Sequence, residues 1–493
     1  MTHASILPLL PDILLLALAL LVLTADLWDE DGAAVFHLTW MGLAAIAALL
    51  AGSPVVQGVA AFSGYSATGG SQAWKLLFLL ATLGTVFLSR PYFRQGGNAR
   101  GPLAKSGAFF GLLLLCTQGM FALVSASDLL VFYLGLELAT LPIYALAAFQ
   151  PRDADSVEAG AKYVLMGGFS SALTLFGISF LYGAAGHLGF PELAAAAQAA
   201  PADPLLWGGV ILLLGGLGFK LSMAPLHMWA PDVYQGAPTP VMAFLSVGSK
   251  TAAVAALAAV FLSPLDALRP DLTAFFAGAA ALSMVAGNLG AMRQTDLRRF
   301  VAYSSVAQAG YMLVALVGDA GAARNALMYN LAAYGATSFA LYFIMSVIGK
   351  EGPESLAGLK GLSRRHPGLA ALLVLCMFSL AGVPPLAGFL GKFMLFSAAA
   401  AKGHYALVGV AVANAVVSFY YYMLVVKAAY IAEPIGYAAA VGADGRPVAA
   451  GAAGGAIVLR PMQTLSLWGL AALLLLLGLC PAASDWLAAR SGP

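Results

Sequence analysis

Fourteen apolar runs, each near the length of about 20 residues that a helix needs to cross a bilayer core, constrain this chain more than any other feature. They lie near 7–25, 36–52, 74–90, 107–125, 128–149, 160–185, 205–236, 238–262, 272–291, 298–318, 325–349, 368–400, 404–430 and 464–480. Lipid offers a backbone no hydrogen-bond partners, so segments of this kind satisfy their own N–H and C=O groups as helices. With 61% apolar and 9% charged residues, there is too little polar surface to clothe a soluble exterior. The sequence predicts an all-α polytopic membrane protein of about fourteen transmembrane helices, with both termini on one side. The first run is not read as a cleaved signal peptide, because it lacks a basic leader and an Ala-x-Ala-like site, and Asp26, Asp29, Glu30 and Asp31 follow it.

The few charges carry the remaining information. Net charge is +2, which gives no reason to expect a nucleic-acid partner. Fifteen of the 24 basic residues, Arg152, Arg298 and Arg299 among them, fall in loops after odd-numbered runs. Loops after even-numbered runs, with the C-terminal tail, hold only Lys75, Arg269, Arg324, Lys402 and Arg490. That asymmetry places the first set in the cytoplasm and both termini outside. Cys116, Cys376 and Cys480 lie far apart with no Cys-x-x-Cys pair, and no two of the six histidines share a run. Neither an iron–sulfur cluster, a zinc site nor a haem is supported, so any redox chemistry belongs to another chain. The Gly/Ala-rich stretch at 434–463 reads as a cytoplasmic linker.

Four basic residues remain inside the runs, Lys220, Lys250, Lys392 and Lys427, and among the acids Glu137 alone is read as deep. Glu137 stands about nine residues, or roughly 14 Å, into its run, too far for its short side chain to reach water. Lys220 precedes Met223-Ala224-Pro225, where proline removes a backbone donor and opens the helix; such breaks are tolerated in lipid only where protein or a water-filled cavity covers them. His227 falls inside this break, where its imidazole is either a proton exchanger or a cap on loose carbonyls. Lys250 is central in its run, and Lys392 follows a second break at Gly382-Val383-Pro384-Pro385. Lys427 lies nearer a helix end behind Tyr420-Tyr421-Tyr422, where snorkelling accounts for it. Each central lysine costs about 2.5–3.5 kcal/mol to insert, which argues that Lys220, Lys250 and Lys392 are kept for use.

The broken, lysine-bearing run at 205–236 recurs five runs later at 368–400, and the Lys250 run recurs five later as the Lys427 run. An odd offset reverses direction across the membrane, so two inverted five-helix repeats are expected, each with one broken helix. The implied organisation is N-terminal helices at 1–105, a first repeat at 106–262, a second at 263–430, and a cytoplasmic loop with a last helix at 431–493.

The stretches 134–144 around Leu136-Glu137-Leu138, 220–238 with Trp229-Ala230-Pro231-Asp232, 297–305 with Arg298-Arg299-Phe300, and 388–393 ending in Lys392-Phe393 resemble the antiporter-like subunits of bacterial complex I, the proton-translocating NADH:quinone oxidoreductase. Within that superfamily the chain is most similar to the subunit N family, equivalent to mitochondrial NADH dehydrogenase subunit two. Lys392 argues against the sibling M family, which has a glutamate there, and the length leaves no room for the lateral helix of the L family.

The resemblance implies Glu137 and Lys220 as a charge pair, His227 as an input link, Lys250 as the central relay and Lys392 as the output lysine. It implies no cofactor in this chain, with NADH, FMN, iron–sulfur clusters and quinone in partner subunits of a bacterial cytoplasmic (inner) membrane complex, next to sibling antiporter-like subunits. Many relatives carry histidine where this chain has Gln308. Glutamine does not titrate, so water or hydrogen bonding must replace any histidine step there. The alternatives are a subunit of a multi-subunit cation/proton antiporter or membrane-bound hydrogenase, and a passive membrane scaffold.

Overall fold

The computed structural model describes residues 9–29, 32–54, 59–62, 64–93, 106–349, 355–432, 457, 459 and 461–480. The helices follow the apolar runs, and many starts are set by an aspartate. Asp128, Asp153, Asp203, Asp296 and Asp319 each accept a hydrogen bond from a free backbone N–H of the first turn, the usual role of an N-cap carboxylate.

The N-terminal unit comprises α1 (Leu10–Ala25), α2 (Ala33–Gly52), an antiparallel hairpin of β1 (Val59–Phe62) and β2 (Tyr65–Ala67), and α3 (Gly69–Phe93). Then come α4 (Ser106–Val124), α5 (Leu129–Ala147), α6 (Ala154–Ala185), the short α7 (Phe190–Ala199), α8 (Pro204–Leu221), α9 (Trp229–Gly236), α10 (Thr239–Phe244) and α11 (Lys250–Phe261). A π-helical turn, Leu245–Ser249, joins the last two. The remainder is α12 (Arg269–Met292), α13 (Leu297–Val314), α14 (Ala320–Ile348), the one-turn α15 (Leu362–Arg365), α16 (Pro367–Ala381), α17 (Ala387–Ala400), α18 (Tyr405–Tyr430) and α19 (Pro461–Leu479).

Among the described residues eleven helices are long and apolar enough to cross a membrane. The others of the fourteen expected runs fold as shorter apolar helices: α1, the interrupted pair α16 and α17, and α19. α13 and the helix from α10 to α11 are almost wholly enclosed, whereas Leu165, Phe169, Ile211 and Val416 expose more than half of their surface on outer helices. Apolar outer faces around an enclosed interior are what a multi-pass membrane protein presents to lipid or neighbours. Two helix pairs pack with backbones in contact: a Cβ on Gly119 or Gly135 would strike the main chain between α4 and α5, and one on Gly287 or Gly310 the main chain between α12 and α13. Small residues allow this approach where lipid provides no hydrophobic drive between helices.

Three sequence expectations need correction. Lys75 is not a loop residue: it sits in the second turn of α3, 2% exposed, with its Nζ 2.7 Å from Asp12 Oδ2. Glu137 is accordingly not the only acid removed from solvent, because Asp12, in the first turn of α1, is 6% exposed. The segment before α3 contains the β-hairpin, whose turn at Gly64 has φ +84° and whose edge is held by Ser66 N–H to Ser125 O at 2.8 Å and Ser127 N–H to Gly64 O at 2.9 Å. The expected linker at 434–463 falls almost wholly outside the described residues.

Candidate functional site

The first break follows directly from local sequence. α8 stops at Leu221 because Ser222 adopts φ +62°, a left-handed conformation uncommon outside glycine. The chain then turns through Met223–Met228 into α9. A helix end leaves its last carbonyls without intrahelical partners; here the Trp229 indole N–H donates to Phe219 O at 2.9 Å, and the Ala224 N–H donates to Ser283 Oγ at 2.9 Å. Lys220 occupies the last turn before this break and is 7% exposed. Its ammonium donates to Thr140 Oγ1 at 3.2 Å and lies 3.5 Å from Glu137 Oε1, which also accepts from Ser171 Oγ at 2.6 Å. The expected pair therefore forms, from α5 and α8, but it is long, and each partner is shared with a hydroxyl.

Lys250 begins α11 immediately after the π turn. Its Nζ donates to Ser305 O of α13 at 2.7 Å and to Leu221 O, the last carbonyl of α8, at 3.4 Å. The first break thus supplies an acceptor to Lys250 as well as a terminus for Lys220. A π turn widens the helix by one residue and recurs at functional positions.

Lys392 repeats the chemistry at the second break with the order inverted, since it lies after the interruption rather than before it. α16 ends at Gly382, φ +88°, and the freed carbonyls of Leu380 and Ala381 accept from Lys392 Nζ at 2.8 and 3.1 Å. The ammonium also stands 4.3 Å from the Tyr311 ring centroid, a cation–π distance. A side chain at 382 would meet Lys392 Cδ at 3.1 Å, so glycine serves both the backbone turn and the lysine.

His227 lies in the first break, partly exposed, with its ring 6.4 Å from that of Tyr303. The structure brings it to neither Lys220 nor Lys250, whose hydrogen bonds run elsewhere. Lys427 is exposed near the end of α18, as snorkelling requires. Thr140, one turn from Glu137 on the same helix face, was readable from spacing; Ser171, 34 residues away in sequence, carried no signal. Two of the distinctive stretches meet at one end of the molecule, where Asp232 binds both Lys162 and Arg299 at 2.8 Å and ties α6, α9 and α13 together. No group of three or more His, Cys, Asp or Glu side chains suited to a metal occurs among the described residues.

The family model for NADH:quinone oxidoreductase/Mrp antiporter transmembrane proteins matches residues 126–418, more than half of the chain. NADH-quinone oxidoreductase subunit N of Moorella thermoacetica is 39% identical over 420 residues, covering 85% of this chain and 87% of its own. A chain of respiratory complex I from Thermus thermophilus with bound aureothin is 34% identical with a TM-score of 0.78, covering 98% of this chain and 100% of that one. A chain of the Mrp complex from Dietzia sp. DQ12-45-1b has a TM-score of 0.81 at 23% identity, covering 100% and 97%, a likeness of fold. With these matches running through both helix breaks and the buried lysines, the chain belongs to the NADH:quinone oxidoreductase/Mrp antiporter transmembrane family, on its NADH-quinone oxidoreductase subunit N branch.

Proposed function

We propose that this chain is a proton-translocating membrane subunit of an NADH:quinone oxidoreductase and that protons pass along Glu137, Lys220, Lys250 and Lys392. The observation that carries the relay is the contrast among the lysines. Lys220 has a carboxylate partner at 3.5 Å, whereas Lys250 and Lys392 are held by main-chain carbonyls, Lys250 by Ser305 O within α13 and Leu221 O at the first break, and Lys392 by Leu380 O and Ala381 O at the second. A lysine held only by carbonyls binds or releases a proton according to the charge beside it.

When Glu137 leaves Lys220, the ammonium loses its counter-charge and its proton moves on toward Lys250 and then Lys392. At 3.5 Å and an effective dielectric near 20, that contact is worth roughly 5 kcal/mol. Moving one proton against about 180 mV requires about 4 kcal/mol, so opening a single such pair is of the right size to drive a step. His227 fits a side input to the first break, its ring being partly exposed.

In this reading α1, the α16/α17 pair and α19 also span, raising the eleven long helices to fourteen, with both termini on the periplasmic side of the bacterial inner membrane. Residues 106–262 and 263–430 are inverted repeats. The glycine-packed pair α4/α5 corresponds to α12/α13, α6 to α14, broken α8/α9 to broken α16/α17, and α10/α11 to α18. Residues 1–105 and 431–493 flank them. NADH, FMN, iron–sulfur clusters and quinone reside in partner subunits, and sibling antiporter-like subunits and lipid cover the apolar flanks.

The test is Lys220→Ala and Glu137→Ala in the assembled complex, reading protons translocated per quinone reduced. Both are expected to lower that ratio about tenfold, the effect of roughly 1.4 kcal/mol on a rate. Full pumping with normal assembly removes the relay and leaves the scaffold reading. The fold shared with the Mrp complex keeps one rival, a cation/proton antiporter subunit; flavin and iron–sulfur subunits co-purifying with the chain decide against it.

A further inference from the structure

Between Lys250 and Lys392 the row passes one side chain that neither holds nor releases a proton. Gln308, 4% exposed on α13, sits one turn beyond Ser305, whose carbonyl binds Lys250. Its Nε2 donates to Leu380 O at 3.1 Å, the same carbonyl that takes Lys392 Nζ at 2.8 Å. The Tyr422 hydroxyl of α18 stands 3.5 Å from that Nε2 and 2.6 Å from Ser304 Oγ, also on α13. A carbonyl only accepts, so the amide must face Leu380 with its NH2 group, and its Oε1 remains available to accept from the other direction. Leu380 O, released by the break at Gly382, thereby has both lone pairs engaged, one by the relay lysine and one by Gln308.

We propose that Gln308 is the positioning residue for proton passage between Lys250 and Lys392. The inference rests on the relay reading above. The amide pins the freed carbonyl at the second break and the adjoining Tyr422–Ser304 hydroxyl pair, so that Lys392 stays aimed at α13. An N–H bond breaks on the Lys250 ammonium, water and hydroxyl groups carry the proton past α13, and an N–H bond forms on the neutral Lys392 amine. Gln308 ends the step as it began, with no net change in protonation. The titratable groups facing it are Lys392 of α17 and Tyr422 of α18, with Tyr311 one turn farther along its own helix.

The experiment measures protons translocated per quinone reduced, per assembled complex, in proteoliposomes holding the whole enzyme. Gln308→Leu keeps the volume and removes both amide functions; a fall of about fivefold is expected, the scale of one lost hydrogen bond. Tyr422→Phe, which keeps the ring, provides a second reading with a fall of about twofold. Gln308→His should pump like the native complex at alkaline pH, where a neutral imidazole still donates and accepts. It should lose pumping as the pH drops and the ring protonates, because imidazolium has no acceptor site and repels the incoming charge. A merely structural role would not create that new pH limb. Native ratios in Gln308→Leu and Tyr422→Phe, together with low ratios in Lys250→Ala and Lys392→Ala, overturn this inference and leave the relay standing. Native ratios in the two lysine variants overturn the relay itself.

Discussion

Among the described residues two acid–lysine pairs are largely withdrawn from solvent, and they are built differently. Asp12 in the first turn of α1 and Lys75 in the second turn of α3 meet at 2.7 Å, with side chains 8% and 2% exposed. The Tyr65 hydroxyl bonds Asp12 and accepts from Lys75 at 2.9 Å, and the Phe121 ring centroid lies 5.2 Å from the ammonium. Glu137 and Lys220 stand 3.5 Å apart, with side chains 15% and 5% exposed, and each has a hydroxyl as a competing partner. The first pair has a short contact, rests on uninterrupted helices and clamps the β-hairpin through the one Tyr65 hydroxyl that both members share; the second has a longer contact, two separate hydroxyl partners and a helix break beside it. A buried acid and lysine are therefore not in themselves a relay. Length of contact and an adjacent break distinguish a pair that holds from a pair that switches.

The comparison breaks most visibly at Asp12. Asp12→Ala strands the Lys75 ammonium in an apolar site, a loss of about 3–5 kcal/mol for an uncompensated buried charge. Thermal denaturation of the purified complex should show it as early release or loss of this subunit; an unchanged profile would mean that Lys75 finds water and that the clamp is not tight.

Replacing both members of each pair by apolar side chains of similar volume sharpens the contrast. Such exchanges in buried ion pairs are often neutral or stabilising, so Asp12→Leu with Lys75→Met and Glu137→Leu with Lys220→Met should both assemble. The first double variant is expected to pump near the native ratio and the second to lose pumping about tenfold, a change of roughly 1.4 kcal/mol in a barrier. Equal pumping by the two would erase the distinction drawn here. The smallest effect belongs to Lys427→Met: the side chain is exposed, so stability should stay within about 0.5 kcal/mol and pumping should not change. A clear pumping defect would add Lys427 to the row.

Much of the site was legible in the residues themselves. Glu137, Lys220, Lys250 and Lys392 stand out because charge in an apolar run is expensive, and both breaks announce themselves through glycine and proline. Lys75 was misplaced because it sits at the start of its run among polar residues, where a loop and the opening turns of a helix read alike. Asp12 was overlooked for the same reason, and its partner is 63 residues away. The β-hairpin had no alternating apolar pattern to reveal it, and the π turn before Lys250 has no signature in composition.

The sequence by itself determined the class of the protein, most of its helical segments and the three buried lysines Lys220, Lys250 and Lys392, because hydrophobic length and the cost of inserted charge are local quantities. Only the tertiary structure decided what each charge touches. It set which lysine meets a carboxylate and which meets freed carbonyls, and it brought Gln308 and Lys392 to the same oxygen. Most of those pairings depend on backbone carbonyls, several of them released at helix ends, and a backbone carbonyl is the same in every residue, so no reading of side chains foretells where it will point.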